Sequence, residues 1–395
     1  PPVFFRRKNM KEIYLDNAAT TRVSQAALQA ATNAMVESYG NPSSLHAAGA
    51  RAAKLLKEAR RTLAGLLAVP EKELYFTSCG SESNNTAVFG VAASQARLGK
   101  KILIGAVEHP SLSEPAKLLA EKFLVEKIPV DSRGAVNLVA LEQLLDDDVI
   151  FVGLQYVNNE TGLIQPLTQV GELIKNQAPQ AHFHIDGVQG FGKLPVEFKK
   201  WHADSFAASA HKLGGLKGCG LFWLREGARC RPFIYGGGQE RGFRSGTENM
   251  AGICSFAAAA SEACNKIEQN TALYQSLRER LWHILANKEL GAVAVSNFTA
   301  CSPHIANISF PGVRSEVLLH YLEANGIYAS SGSACHSNKS GASPVLMAMG
   351  LDKAVIDGAI RFSFSPENTL EQMDFVAEVI FNSVVEIRSL MSRKH

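Results

Sequence analysis

Short runs of apolar residues, each closed by a glycine, a small polar residue or a charge, recur between residues 73 and 224. Those at Glu73–Thr77, Lys101–Val107, Val149–Tyr156, His182–Asp186, Ser205–Ser209 and Gly220–Leu224 have the length and the β-branched or aromatic content of strands. Segments between them carry the wider spacing of helices, at Glu82–Ala96, Ser113–Lys122, Leu138–Leu145 and Leu167–Gln177. This alternation predicts an α/β fold, a mostly parallel sheet covered by helices on both faces. Sheets of that kind bind ligands beyond the C-terminal ends of their strands. After about residue 255 the rhythm changes. A long helical stretch, Cys254–Lys288, leads to short strands near Ala306–Phe310 and Ala359–Ser363 and to a closing helix, Leu370–Ser389. The expected division is a large domain over 16–255 and a smaller α+β domain made of 1–15 and 256–395.

Composition narrows the class without naming a chemistry. Of 395 residues, 46% are hydrophobic and 19% charged, the balance of an ordinary globular chain. A net charge of +3 is too small to argue for nucleic acid or an anionic membrane surface as a partner. No apolar run approaches the roughly 20 residues that span a bilayer, and the opening PPVFFRRKNM has no stretch suited to a secretory signal. The expected location is cytoplasmic. Seven cysteines (79, 219, 230, 254, 264, 301 and 335) are irregularly spaced, and no CxxC pair occurs. That argues against a disulfide scaffold and against structural zinc, so free thiols and no metal are expected.

Three segments carry candidate chemistry. HFHIDGVQ (182–189) and SFAASAHK (205–212) place Asp186 at one strand end and Lys212 just past another. Such a pair suits pyridoxal phosphate (PLP): the amine forms a Schiff base with the aldehyde, and the carboxylate keeps the pyridine nitrogen protonated. A surface charge and a cap would read the same way. TSCGSESNN (77–85) is a small polar turn feeding a helix, whose open N–H groups, with Ser81 nearby, offer an anion site or simply an N-cap. SSGSACHSNKSGASP (330–344) sets Cys335 among small polar residues, the setting of an exposed and reactive thiol rather than a core cysteine.

These segments, together with YLDNAATT (14–21), YGNPSSLH (39–46), VEHPS (107–111), YVNNETG (156–162), GGGQERGFRSGTEN (236–249) and IRFSFS (360–365), resemble the group I cysteine desulfurases, class V aminotransferases of PLP fold type I. The likeness runs from about residue 12 to 390 with the motifs in order. It implies a large domain around a mostly parallel seven-stranded sheet. It further implies that Lys212 bears the cofactor, that Asp186 partners its ring nitrogen, and that Gln189 and Asn159 lie near its ring hydroxyl. His109 would stack on the ring and move protons. Gly80, Ser81, Ser209 and His211 would hold the phosphate, with Thr247 reaching it from a second subunit of a homodimer. Arg361 would clamp the substrate carboxylate. Cys335 would take sulfur from L-cysteine as a persulfide, leaving L-alanine, after Lys212 or His109 has removed the Cα proton. His336, beside it, could stabilise a thiolate.

The resemblance also leaves departures and open choices. Ser81 stands where the family usually has threonine, and Gly187 where alanine commonly sits beneath the ring, which would trim a cofactor contact. LGGLKGCG (213–220) lacks the usual tyrosine and proline. The chain stops at His395, short of the tail that often contacts an iron–sulfur scaffold, so the acceptor could be a scaffold or a thiolation relay. CHS at 335–337 also resembles selenocysteine lyases, and an aminotransferase or cystine lyase that does not use Cys335 is a further alternative.

Overall fold

The computed structural model describes residues 12–331 and 342–392; Cys335 and His336 lie outside the described residues. Strands in chain order are β1 (Ile13–Tyr14), β2 (Leu74–Thr77), β3 (Lys101–Gly105), β4 (Leu124–Ile128), β5 (Val149–Gln155), β6 (His182–Asp186), β7 (Ser205–Ser209), β8 (Gly220–Leu224), β9 (Val293–Ala294), β10 (Ile305–Ser309), β11 (Ile327–Tyr328) and β12 (Ala359–Ser363). Seven of them form the main sheet in the order β2-β8-β7-β6-β5-β3-β4. All its neighbours run parallel except β8, which is antiparallel to both β2 and β7. Strand β5, VIFVGLQ, is buried at every position, as a central parallel strand covered on both faces must be.

The sequence reading omitted β4. Its residues, LVEKI, lie at the sheet edge and are exposed or half-exposed except Ile128, so the apolar signal of a core strand is missing. The single helix expected over Cys254–Lys288 is two, Met250–Asn265 and Ile267–Ala286, broken at Lys266 where the backbone leaves helical geometry (φ −116°, ψ 14°). The helix expected from Glu82 begins at Gly80, with Glu82 reaching back to accept from the Ser78 N–H at 2.8 Å. The helix expected over Ser113–Lys122 runs instead over Pro110–Leu118, capped by the His109 side chain.

Two apolar cores are present. One fills the space around the main sheet, with Leu103, Leu154, Ile185, Phe206 and Leu221 almost fully buried. The other joins the N-terminal Ile13 and Leu15 to Leu277, Ile308, Phe362 and the C-terminal helix Leu370–Ser392. Strand β1 pairs in parallel with β11, and β10 lies antiparallel between β12 and β9, so the ends of the chain meet in one layer. Among the described residues no helix is long and apolar enough to cross a membrane.

Candidate active site

Four strands of the main sheet deliver polar side chains to the same end. Strand β3 leads to His109, β5 ends at Gln155, β6 ends at Asp186, and β7 ends at Ser209 and runs through a short 3-10 turn to Lys212. These are the C-terminal ends of parallel strands, where the chain loops over the sheet. A cavity of about 280 Å³ opens there, lined by Ala18, Ala19, Cys79, Gly80, Ser81, His109, Ser111, Gln155, Val157, Asn159, Asp186, Val188, Gln189, Ser209, His211, Lys212 and Arg361. Size does not mark the site. A cavity of about 810 Å³, lined by Leu67, Phe198 and Trp223 and by charged residues such as Asp204 and Arg225, lies at the opposite ends of these strands, away from Lys212 and Asp186.

Lys212 is held by the N-terminal turn: its Nζ donates to the Ala18 carbonyl at 2.6 Å and to the Ala19 carbonyl at 2.8 Å. Gln189 Nε2 donates to the same Ala18 carbonyl at 2.8 Å. Burial and then the Lys212 charge push the His211 imidazole down to about 4, so this histidine is neutral near pH 7. Its Nδ1 lies 3.2 Å from the Thr20 hydroxyl. Asp186 is buried; its Oδ2 accepts from Asn84 Nδ2 at 2.8 Å and its Oδ1 from the Val188 N–H at 3.0 Å. Glu108, one residue before His109, is held well above the usual carboxylate range by burial and then by the nearby Asp186 carboxyl.

Gly80 and Ser81 open the helix Gly80–Gln95, whose first-turn amides have no partner within the helix. A Cβ at Gly80 would come within 2.5 Å of Val188 Cγ2, so glycine allows the helix start to approach the turn after β6. Arg361, on β12, is buried; its guanidinium donates to Asp16 Oδ1 at 2.7 Å and to the Asn159 carbonyl at 2.9 Å.

The structure therefore gathers Lys212, Asp186, Gln189, Asn159, Gly80, Ser81, Ser209, His211, His109 and Arg361 around one cavity. Thr247 is exposed and is not among the lining residues. Gly187 needs a correction. It does not line the cavity, Val188 does, and a Cβ on Gly187 would strike the Phe206 ring instead of a bound ligand. Sequence reasoning overlooked Ser111, Gln155, Asn84 and the Ala18–Ala19 carbonyls. All of these but Gln155 sit inside motifs already singled out (Ala18 and Ala19 in YLDNAATT, Asn84 in TSCGSESNN, Ser111 in VEHPS), so the signal was present and only the contacts were missing.

Residues 13–376 match the aminotransferase class-V family. A protein named cysteine desulfurase IscS, from Methanosarcina thermophila, is 37% identical over 381 residues, covering 96% of this chain and 94% of its own. One named cysteine desulfurase NifS, from Azotobacter vinelandii, is 37% identical over 390 residues, covering 96% and 94%. Among solved structures, a NifS-like protein superposes with a TM-score of 0.90 at 37% identity, covering 96% of this chain and all of its own.

Members of this family depend on PLP, and the cavity fits it. In the cavity wall, the buried Gln189 Oε1 and Ser209 Oγ find no hydrogen-bond partner among the described residues. Buried polar atoms rarely stay unmatched, and a polar ligand supplies what these two lack. An amine, a buried carboxylate and a helix start converge on the same space as the chemistry of an aldehyde, a pyridine nitrogen and a phosphate demands. With motifs, fold and cavity in agreement, the chain belongs to the class-V aminotransferase family, with the cysteine desulfurases as its relatives.

Proposed function

We propose that this protein is a PLP-dependent cysteine desulfurase that moves sulfur from L-cysteine to Cys335, releasing L-alanine. The observation that carries this reading is the convergence of Lys212, Asp186, His109 and Arg361 on one cavity of cofactor size. Lys212 would bear the cofactor, Asp186 its ring nitrogen, Gln189 and Asn159 its ring hydroxyl, and Gly80, Ser81, Ser209 and His211 its phosphate. Bound there, PLP supplies an electron sink for charge developing at the substrate Cα. The residues do the rest. The Arg361 guanidinium orients the substrate by its carboxylate. The Lys212 amine, once free, takes the Cα proton, and His109, in the wall of the same cavity, is a second group able to hold one. A Cys335 thiolate attacks the substrate sulfur, the sulfur–carbon bond breaks, and the new S–S bond is the persulfide.

The flanks of the segment that holds Cys335 support its part. Ser330 exchanges backbone hydrogen bonds with Arg361, and the Ser343 hydroxyl donates to Glu160 at 2.6 Å, next to Asn159. Cys335 is five residue steps from Ser330, which span at most ~17 Å, enough to bring the thiol to the cavity. The rival thiols are poorly suited. Burial pushes Cys230 up to about 12 and Cys254, Cys264 and Cys301 up to about 11, which suppresses their thiolates. Cys79, in the cavity wall, is the competitor to test.

A homodimer completes the proposal. Thr247 is exposed on a surface that also carries Phe233 and Tyr235, exposed at 42% and 72%, as a residue serving a second copy's cavity would be. The acceptor of the persulfide sulfur would be an iron–sulfur scaffold or a thiolation relay, and the setting cytoplasmic. The test is incubation of the PLP-loaded protein with L-cysteine, measuring alanine and protein-bound persulfide. Loss of both in Cys335→Ala, with Cys79→Ala unaffected, is expected; normal alanine production by Cys335→Ala would sink the assignment.

A further inference from the structure

A continuous chain of buried hydrogen bonds runs beneath the cavity, and the chemistry of its members fixes the direction of every link. Asn84, fully buried, is its hub. Asn84 Nδ2 lies 2.8 Å from Asp186 Oδ2 and 2.8 Å from Ser111 Oγ, and Asn84 Oδ1 lies 2.9 Å from His184 Nε2. A carboxylate only accepts, so the amide nitrogen must face Asp186 and the amide oxygen must face His184. His184 therefore carries its proton on Nε2, and burial keeps it neutral. Its bare Nδ1, 2.8 Å from Ser205 Oγ, takes the serine proton, and Ser205 Oγ accepts in turn from His182 Nε2 at 2.7 Å.

The other branch reaches His109. Ser111 Oγ accepts from Asn84 and lies 2.8 Å from His109 Nδ1, and its proton goes to that nitrogen because a backbone N–H already donates there. The Ser111 backbone N–H donates to that same Nδ1 at 3.1 Å. Two donors on one ring nitrogen leave Nδ1 as an acceptor, and the proton of the neutral imidazole sits on Nε2. A ring in that state gives a proton from Nε2 and does not take one there.

We propose that Asn84 is a positioning residue whose amide orients the Asp186 carboxylate and, through Ser111, holds His109 as the Nε2–H tautomer, so that His109 serves this cavity as a proton donor and Lys212 as the base. The proposal rests on the cofactor site described above. It ties two groups of that site to one side chain, since neither bond of Asn84 can change without disturbing the other.

The test uses Asn84→Asp, which keeps the shape while replacing the donor by a second carboxylate, and Ser111→Ala, which cuts only the His109 branch. PLP dissociation constants of each protein are compared with long-range ¹⁵N spectra of histidine-labelled protein, with and without PLP, the His109 signals being assigned by their loss in His109→Gln. In the unmodified protein His109 shows the Nε2–H tautomer near pH 7.5. Asn84→Asp weakens PLP binding at least about tenfold, the scale of one lost charge-assisted bond, and mixes the His109 tautomers. Ser111→Ala mixes the tautomers while PLP binding stays within about twofold, since the Asp186 bond is untouched. Wild-type PLP affinity and wild-type His109 signals in Asn84→Asp would overturn the proposal. If Asn84→Asp does not fold, unaltered His109 signals in Ser111→Ala overturn it instead. Failure of the unmodified protein to bind PLP, or to make alanine from cysteine with PLP bound, would count against the cofactor site and the desulfurase reading respectively. The nitrogen spectra without cofactor would still decide the tautomer.

Discussion

Gly187 and Phe206 occupy a single side chain's worth of space. A Cβ on Gly187 would lie 1.8 Å from Cζ and 2.0 Å from Cε2 of the Phe206 ring, which is itself fully buried against Phe191 and Phe198. The glycine is thus required by the neighbouring strand and not by the ligand. Gly187→Ala is expected to destabilise the protein by ~1–3 kcal/mol through overpacking, measured by urea unfolding. In a Phe206→Leu background most of that cost should vanish, giving a coupling opposite in sign to the cost and of ~1 kcal/mol or more. Strictly additive effects would mean that the two residues do not compete for this space.

How far the sequence foretold this site depends on where each residue gets its position. Strands β6, β7 and β8 are legible to the residue because each is a short apolar run cut off by a charge or glycine, and Asp186 and Lys212 follow directly from their ends. Strand β4 is not legible, because an edge strand with Glu126 and Lys127 in it has no core pattern. The break at Lys266 has no proline or glycine to announce it. Ser111 and Asn84 stand 27 residues apart and meet only because the helices that follow β2 and β3 pack together. Gly187 was misread for the same reason: the resemblance sets it beside the cofactor, but which neighbour fills its place is a tertiary fact.

A buried ion pair secures the segment that carries Thr247. Arg60 donates to both oxygens of Glu240, at 2.7 and 2.8 Å, and to the Leu74 carbonyl at 2.8 Å, while Glu240 also accepts from the Phe76 N–H at 3.0 Å. The two side chains are 10% and 2% exposed. Glu240→Gln keeps the shape and leaves the guanidinium buried without its counter-charge, so a loss of about 3 kcal/mol is expected. Urea unfolding checks it; a change below about 1 kcal/mol would show that solvent reaches the pair in solution.

Arg361 offers a separate test of substrate binding. Its fork spans Asp16 and the Asn159 carbonyl, and its Nε is buried without a partner among the described residues. Lysine keeps the charge but loses the planar pair of donors. Arg361→Lys should raise KM for L-cysteine at least about tenfold, one charge-assisted hydrogen bond's worth, with the PLP dissociation constant little changed. Equal KM values would remove Arg361 from substrate recognition; parallel loss of PLP would assign it to the cofactor site.

The buried histidines make stability depend on pH in a predictable direction. Burial holds His182 down at about 4 and pushes His184 and His304 well below their ordinary value. In the unfolded chain each titrates near 6.5. Below pH 6.5 the unfolded state therefore takes up protons that the folded state refuses, and stability falls as pH falls, by up to ~1.4 kcal/mol per pH unit for each such histidine. Glu108 opposes the trend, because its raised carboxyl is protonated in the folded state before the unfolded one, so the total slope is smaller than the histidines alone would give. Lys193, pushed down to about 7 by burial and then by Lys212, acts above that pH and leaves the acid window undisturbed. The difference between two proteins is cleaner than either total. Urea unfolding of the cofactor-free protein and of His182→Gln at pH 6.5, 6.0 and 5.0 should show the variant losing about 1 kcal/mol per pH unit less than the parent. Identical slopes would mean that His182 takes up a proton at Nδ1 while folded, its Nε2–H still donating to Ser205.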